Sequence, residues 1–132
     1  MKRATREWVN KAEADFRGAR ALARSQPPLH DLVCFHCQQC AEKYLKALLQ
    51  EVSLPVPRTH NLLALDGLLL PHRASLRPLR RGLDFLTRFA VGPRYPMYDA
   101  RKRQATAALR WAGRVRAACR ALLGIPPPRR RA

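Results

Sequence analysis

Residues 34–49 read CFHCQQCAEKYLKALL, with three cysteines at intervals of three, a histidine and two adjacent glutamines. In a helix, residues three apart are rotated by about 60°, so the three sulfur atoms share an arc of about 120° with Ala41, Tyr44 and Leu48. A zinc or iron–sulfur site instead needs thiolates that converge from a loop or from two elements. Since AEKYLKALL is a strong helix former, we predict that the cysteines pack in a helical core and are not metal ligands.

The other face of this predicted helix is polar and comprises Gln38, Gln39, Glu42, Lys43 and Lys46. Glu42 and Lys46 stand four residues apart in the favourable order, which is by itself sufficient to explain the pair. Lys43 is a candidate ligand-binding residue. His36 is interpreted as a residue at the core boundary, which a dimer interface could also use. We expect this face to lie away from the core.

Apolar spacing predicts helices along most of the chain. Residues 5–25 form an amphipathic helix with Trp8 and Phe16 as core anchors. The helix that contains the cysteines runs from Asp31 to about residue 52. No stretch shows the period of two that a strand requires. The sequence therefore predicts an all-α protein, an antiparallel up-and-down bundle of about four or five helices.

Three further helices follow the cysteine-containing one. Thr59 and Asn61 are both candidate N-caps of a short helix through LLALDGLLL. Ser75 is the predicted N-cap of a fourth helix, with Pro78 tolerated in the first turn. Asp99 is the predicted N-cap of a long last helix.

The chain of 132 residues has room for one domain. We predict a helical bundle over residues 1–124 and a disordered, basic, proline-rich tail over residues 125–132, which read IPPPRRRA. No apolar run approaches the length of a membrane span, and the polar N-terminus is unlike a signal peptide. We therefore expect a cytoplasmic protein without membrane contact, whose four cysteines are free thiols.

The charge of the chain is strongly positive and uneven. The total is +17; residues 1–71 hold ten Lys or Arg against seven acidic residues, and residues 72–132 hold sixteen against two. A basic surface of this size attracts polyanions such as RNA, or an acidic protein. The alternative is a solvated surface without a binding role, because a GC-rich genome favours arginine codons and 21 of the 26 basic residues are Arg.

Three motifs follow one another: QQ-x-x-EK at residues 38–43, THNL at residues 59–62 and RYP at residues 94–96. In this order, and with the opening segment WVNKAEADFRGARAL, they resemble the HEPN family of small helical proteins over residues 5–122. The resemblance implies a bundle of about five helices, a homodimer and no metal or cofactor. It also implies one of three roles: RNase toxin, partner of a minimal nucleotidyltransferase in a toxin–antitoxin pair, or nucleotide-associated domain.

Active HEPN nucleases carry an arginine followed, after four to six residues, by a histidine, and both protomers contribute this motif to a cleft. The matching arginine is Arg94, but Asp99 occupies the histidine position at the four-residue spacing, and no histidine follows His72. Metal-independent RNA cleavage needs groups that move protons and stabilise the transition state. A carboxylate at Asp99 repels phosphate, so the nuclease motif is not intact. Asp99 is interpreted as an N-cap, or as a group that holds Arg94.

His60 is the candidate substitute for the missing histidine, because an imidazole titrates near neutral pH. The alternative is that it fixes the start of the third helix. Arg94, Tyr95, Tyr98 and Asp99 are candidate ligand-binding residues of one loop, since loops on a rigid bundle often carry function. RYP alternatively locks the start of the last helix, and the two tyrosines also offer hydroxyls that a partner nucleotidyltransferase could modify.

Two functions remain open at this point. The first is a dimeric binding module that does not cleave and that partners a minimal nucleotidyltransferase, or binds nucleotide or RNA, or does both. The second is a metal-independent endoribonuclease with a degenerate Arg-x4-His motif, in which Arg94 acts with His60 or another group.

Overall fold

Five α-helices form the described part of the chain, residues 1–127 of the computed structural model, and no β-strand occurs there. The helices are α1 (Arg3–Ala23), α2 (His30–Glu51), α3 (Leu62–Leu69), α4 (Arg80–Thr87) and α5 (Lys102–Leu122). Two short 3-10 helices, Ala74–Leu79 and Gly92–Arg94, lie before and after α4. The prediction of an all-α bundle is confirmed.

Helix α2 lies at the centre of the bundle and contacts each of the other four α-helices. A short loop joins α1 to α2, and the two helices run antiparallel. α5 runs parallel to α2: Asp31 accepts the backbone N–H of Ala100 near the start of both helices, and Arg120 reaches the Tyr44 hydroxyl near their ends. α3 and α4 form the return segment between them.

The core contains all four cysteines as free, fully buried thiols. Three of them, Cys34, Cys37 and Cys40, lie on α2, and Cys119 lies on α5. Burial, with the nearby charge of Asp31, raises the pKa of Cys34 to about 12, and burial also raises the pKa of the other three. Among residues 1–127, no cluster of three or more His, Cys, Asp or Glu side chains is arranged to hold a metal ion. The prediction that the cysteines pack in the core is confirmed.

The polar face of α2 lies partly inside the protein, contrary to the sequence prediction. Gln38, Glu42 and Lys46 are only 0%, 4% and 7% exposed. They are covered because the chain before α3 and the first turns of α1 pack over them. Conversely, Trp8 and Phe16, the predicted core anchors, are only partly buried. Hydrophobic periodicity alone could not indicate this exchange, because it counts every Gln, Glu and Lys as a surface residue.

The predicted N-cap is confirmed for the third helix and wrong for the fourth. Asn61 caps α3, because its side-chain oxygen accepts two backbone N–H groups at 3.0 and 3.2 Å. Ser75 is not the N-cap of α4: residues 74–79 form a 3-10 helix, and α4 begins only at Arg80. Pro78 accounts for this break, since it has no N–H to donate to the carbonyl four residues earlier.

The predicted N-cap of the last helix is also wrong. Asp99 is exposed, and α5 begins three residues later with Arg101 as the N-cap residue. The Arg101 N–H donates to the side chain of Gln104 at 2.9 Å. The carboxylate that binds the backbone here is Asp31 of α2, which accepts the Ala100 N–H at 2.5 Å. The local cap of α5 is therefore formed by Gln104, and Asp31 holds the chain just before it.

α4 and α5 approach each other closely at Gly82. A Cβ atom at this position would lie 2.0 Å from an atom of the Trp111 ring, so only glycine fits beside the indole. Gly18 and Gly67, which also lie within helices, have no neighbouring atom within 4 Å of the position that a Cβ would take. Gly82 therefore sets the distance between α4 and α5, whereas the other two do not set a contact.

The described chain ends on the surface of α5. Ile125 packs against the core, and its N–H donates to the Arg120 carbonyl at 2.9 Å, so the bundle continues at least to this residue. Residues 128–132, which make up most of the predicted tail, lie outside the described residues. Every helix of the described part is too short or too polar to cross a bilayer.

Candidate functional site

Arg94 is the last residue of the 3-10 helix Gly92–Arg94, and its side chain is exposed. The guanidinium carbon lies 5.5 Å from the ring centroid of Phe35 on α2 and 5.9 Å from that of Tyr95. Among the described residues, no carboxylate forms an ion pair with it, so Asp99 does not hold Arg94 in this way. Aromatic rings therefore position a guanidinium whose hydrogen-bond donors remain available to an external acceptor.

The other loop residues differ in accessibility. Tyr95 is 58% exposed, whereas Tyr98 is half-buried and its ring occupies the space beside Gly92. Burial raises the pKa of the Tyr98 phenol. Asp99 is exposed at the edge of a separate cavity of about 320 Å³ between the loop and the start of α2. Of the two tyrosines, Tyr95 is the more accessible, and Arg94 is exposed beside it.

His60 precedes the N-cap of α3 and contacts α2. Its Nδ1 lies 2.8 Å from Oε1 of Glu42, and its backbone carbonyl accepts a hydrogen bond from Gln38 at 3.0 Å. The His60 side chain is 58% exposed, whereas the Glu42 side chain is only 5% exposed. A buried carboxylate therefore fixes the orientation of a surface imidazole. Among residues 1–127, Nε2 of this imidazole makes no hydrogen bond.

Glu42 is the centre of a buried polar network. Besides His60, its carboxylate accepts hydrogen bonds from Lys46 at 3.1 Å and from Gln38 at 3.2 Å. The Lys46 ammonium also lies 5.6 Å from the ring centroid of Trp8. Both oxygens of a buried carboxylate are thereby satisfied, as burial requires. The i, i+4 pair that the sequence offered as a surface feature is an internal ion pair.

Arg94 and His60 approach the same side of α2. Arg94 stacks on Phe35, and His60 is bonded to Glu42. These two α2 residues are seven positions apart, which is two helical turns, or about 10 Å along the axis. The fold thus brings the two candidate catalytic residues against one side of α2.

Lys43 is engaged within the fold. Its ammonium lies 2.5 Å from one oxygen of Asp15 on α1, and Nδ1 of His36 lies 2.8 Å from the other. Burial favours a raised pKa for Asp15, but the hydrogen bonds from His36 and Lys43 outweigh it and lower the pKa. Lys43 therefore stabilises the contact between α1 and α2, and His36 lies at the core boundary, where the sequence predicted it.

The sequence model of the HEPN domain matches residues 5–122. The chain belongs to the HEPN domain family. A search of curated proteins finds no match.

Two solved structures are similar to this HEPN chain. The archaeal HEPN homologue ST0689 is 30% identical, with a TM-score of 0.70, and the match covers 93% of this chain and 99% of that one. TT1696 from Thermus thermophilus is 23% identical, with a TM-score of 0.80, over 91% of this chain and 98% of that one. The second likeness concerns the fold alone. Both matches extend over nearly the whole of each chain, so the similarity concerns the entire bundle and not one pair of helices.

Sequence reasoning named Arg94 and His60 as candidates in this HEPN chain but missed the residues that position their side chains. Phe35 under Arg94, and Glu42 behind His60, were assigned no such role. A signal was present in the QQ-x-x-EK motif, because Gln38 and Glu42 are four residues apart and so lie on one side of a helix. What the motif could not indicate was the partner, which is 18 residues further along the chain.

Proposed function

We propose that this HEPN protein is a dimeric binding module that holds RNA or nucleotide phosphate without cleaving it and partners a minimal nucleotidyltransferase. The observation that carries the proposal is Arg94, an exposed guanidinium stacked on Phe35 with no carboxylate partner among the described residues. Such a guanidinium binds phosphate through two parallel hydrogen bonds. Asp99 stands where the nuclease motif has its histidine, so no imidazole follows Arg94 at that spacing.

Single-stranded RNA is the phosphate ligand that fits the surroundings of Arg94 best. The exposed ring of Tyr95 beside it offers a surface on which a base can stack. The C-terminal half, with sixteen basic residues against two acidic ones, adds long-range attraction for a polyanion. Recognition of this kind depends on backbone and stacking, and is therefore tolerant of sequence.

The binding proposal is tested by fluorescence polarisation with a fluorescein-labelled ten-nucleotide oligouridine in the presence of a chelator. Arg94→Ala should weaken binding about tenfold, because it removes a charge-assisted contact. Arg81→Ala is the matched control, since Arg81 is exposed and forms no ion pair in residues 1–127. RNA recovered from the wild-type complex should be intact on a denaturing gel. Equal effects of the two substitutions would contradict a binding role for Arg94.

The partner proposal rests on the family and on the accessible loop. Sedimentation should give a mass twice the 15.0 kDa of the chain, and a monomer at micromolar concentration would contradict the dimer. Co-expression with a minimal nucleotidyltransferase should yield a complex that co-elutes. If that enzyme also transfers AMP to this protein, Tyr95 is the expected acceptor, since Tyr98 is half-buried and its pKa is raised.

A second candidate function, metal-independent RNA cleavage, is favoured by one observation. His60 has its Nδ1 on the buried carboxylate of Glu42 and its ring 58% exposed, an arrangement that orients an imidazole for proton transfer. Arg94 on the same side of α2 would stabilise the charge of the transition state. The alternative is that His60 only fixes the start of α3.

The two functions are separated by incubating labelled RNA with the wild type and with His60→Ala and Arg94→Ala variants. A ribonuclease predicts cleavage that survives chelation and falls at least a hundredfold in both variants. A binding module predicts intact RNA in all three samples and weaker retention by Arg94→Ala. Cleavage that persists unchanged in both variants would mark a contaminating nuclease and exclude this site.

A further inference from the structure

A cavity of about 400 Å³ lies between α1 and α5, on a surface that the candidate site does not use. Its wall is formed by four arginines, one phenylalanine and one glutamate: Glu13, Phe16, Arg17, Arg20, Arg24 and Arg116. We refer to it as the arginine pocket. Its volume is typical of small-ligand sites, and its lining residues carry a net charge of +3.

The single carboxylate of the arginine pocket is already engaged. Glu13 accepts hydrogen bonds from Arg116 at 2.9 and 3.0 Å, from Arg120, and from the Tyr44 hydroxyl at 2.7 Å. Burial favours a raised pKa for Glu13, but these hydrogen bonds and the two arginine charges outweigh it, so the pKa is lowered. Glu13 therefore stays ionised at neutral pH and holds Arg116 at the wall. It contacts none of the other three arginines closely enough for an ion pair.

Arg17, Arg20 and Arg24 are exposed and, within the described chain, have no carboxylate partner. Their intervals of three and four residues place them on one side of α1, over about 10 Å. Three like charges this close repel one another, and a bound anion would remove the repulsion. The C-terminal end of α1 contributes only about half a negative charge, which does not offset them.

Phe16 organises the guanidinium groups around the cavity. The guanidinium carbon of Arg116 lies 5.1 Å from the Phe16 ring centroid, and that of Arg20 lies 6.0 Å from it. The ring thus restrains arginines of two different helices, which reduces the conformational entropy they lose when a ligand binds.

We propose that the arginine pocket binds an oligophosphate, a chain of two or more linked phosphate groups. Planar guanidinium groups pair with phosphate through two hydrogen bonds each, and a set spread over about 10 Å matches several phosphates better than one carboxylate. The two sources of this chemistry are a nucleoside triphosphate and the backbone of an RNA strand.

The arginine pocket is independent of Arg94. Tyr44, which bonds Glu13, is nine positions after Phe35, which lies under Arg94. Nine residues are two and a half helical turns, so the two side chains leave α2 on opposite sides. A test of one site therefore does not depend on the other.

The experiment is calorimetric titration of the full chain with inorganic triphosphate. The pocket variant is Arg17→Ala/Arg20→Ala/Arg24→Ala. The control variant is Arg6→Ala/Arg103→Ala/Arg110→Ala, which removes the same charge from exposed helical positions that do not line the cavity. Alanine is a good helix former, so both variants should fold, as circular dichroism will verify.

We expect saturable binding of one triphosphate per chain, roughly thirtyfold weaker in the pocket variant and within about threefold of wild type in the control variant. The absence of saturable binding to the wild type would overturn the proposal. Equal losses in the two triple variants would also overturn it, because the effect would then reflect overall charge. A loss of triphosphate binding in Arg94→Ala as large as that in the pocket variant would assign the ligand to the other site and overturn the proposal.

Two further arms identify the source of the phosphates. ATP and labelled oligouridine are titrated against the wild type and the pocket variant. If the pocket variant no longer binds ATP or triphosphate but still binds oligouridine, the ligand is a free nucleotide. If it loses oligouridine as well, and triphosphate displaces oligouridine from the wild type, the ligand is an RNA backbone.

Discussion

The internal ion pair of Glu42 and Lys46 allows a quantitative test of the network behind His60. Their side chains are 5% and 8% exposed, so water does not screen either charge effectively. Glu42→Gln keeps the shape of the residue but leaves the Lys46 ammonium buried without its counter-charge. Breaking a buried pair from one side costs about 3–5 kcal/mol. For a chain of this size, that loss lowers the melting temperature by roughly 10–20 °C.

Two matched variants give this prediction its contrast. Glu42→Met/Lys46→Met removes both charges at once, and replacing a buried pair by apolar residues is often neutral or stabilising. The double variant should therefore be at least about 2 kcal/mol more stable than Glu42→Gln. Glu7→Gln breaks the exposed i, i+4 pair with Arg3, whose side chains are 69% and 95% exposed, and should cost no more than about 0.5 kcal/mol.

Urea unfolding, followed by circular dichroism, measures all of these variants through the midpoint at constant slope. We assign the cost of Glu42→Gln to the burial of the ion pair. If Glu42→Gln lowered the free energy of unfolding by as little as Glu7→Gln does, the reasoning would be refuted. A double variant as unstable as the single one would refute it as well, because the cost would then come from packing and not from an isolated charge. The same samples report on His60, whose imidazole loses its carboxylate partner in both Glu42 variants.

Three further predictions concern single residues. Gly82→Ala should destabilise the protein by about 1–3 kcal/mol, because the new Cβ overlaps the indole of Trp111 on α5. Gly18→Ala, with open space around it, should stabilise the protein by about 0.5–1 kcal/mol. Thermal melts measure both, and equal shifts in melting temperature would contradict the close contact at Gly82. Asn61→Ala should cost about 1 kcal/mol by removing the cap of α3, as urea unfolding will measure. The lowered pKa of Glu13 means that its contribution to stability is present above the ordinary carboxyl pKa of about 4.3 and is lost as pH falls through the lower folded-state pKa. The difference in unfolding free energy between wild type and Glu13→Gln should therefore be largest near pH 7 and shrink towards pH 3; a difference that grows on acidification would reverse the sign we assign.

The sequence predicted those features that depend on neighbouring residues. The cysteine stripe of α2 follows from helical geometry, and Asn61 is a local cap whose partners are two and three residues away. The two wrong N-caps show where local reasoning ends. Ser75 is not a cap because Pro78 interrupts the helix. Asp99 is not a cap because α5 begins three residues later, where Gln104 accepts the Arg101 N–H, while Asp31, 69 residues from Ala100 in sequence, binds the chain just before the helix.

The site was predicted only in part, for a related reason. Arg94 was identified because a family motif marks it, yet the ring of Phe35 that supports it lies 59 residues earlier in the chain. Burial of Glu42 could not be deduced, because a carboxylate next to a lysine is usually a surface pair. The arginine pocket depends on contacts between Glu13 and Arg116, 103 residues apart, although the spacing of the arginines on α1 was already visible in the sequence.

The four buried thiols can report the rate at which the protein unfolds. A thiol-specific reagent reacts with the thiolate form of cysteine. Here burial keeps the reagent away from the four thiols, and their raised pKa values keep them protonated, until the helices separate. At high reagent concentration, the rate of alkylation then equals the rate at which the chain opens, without any denaturant. Because Cys34 lies near one end of α2 and Cys119 near the opposite end of α5, mass spectrometry of the labelled peptides distinguishes fraying of one end from global unfolding. Labelling of these four cysteines, which are not part of the candidate site, therefore measures how often the helical bundle that supports the site opens.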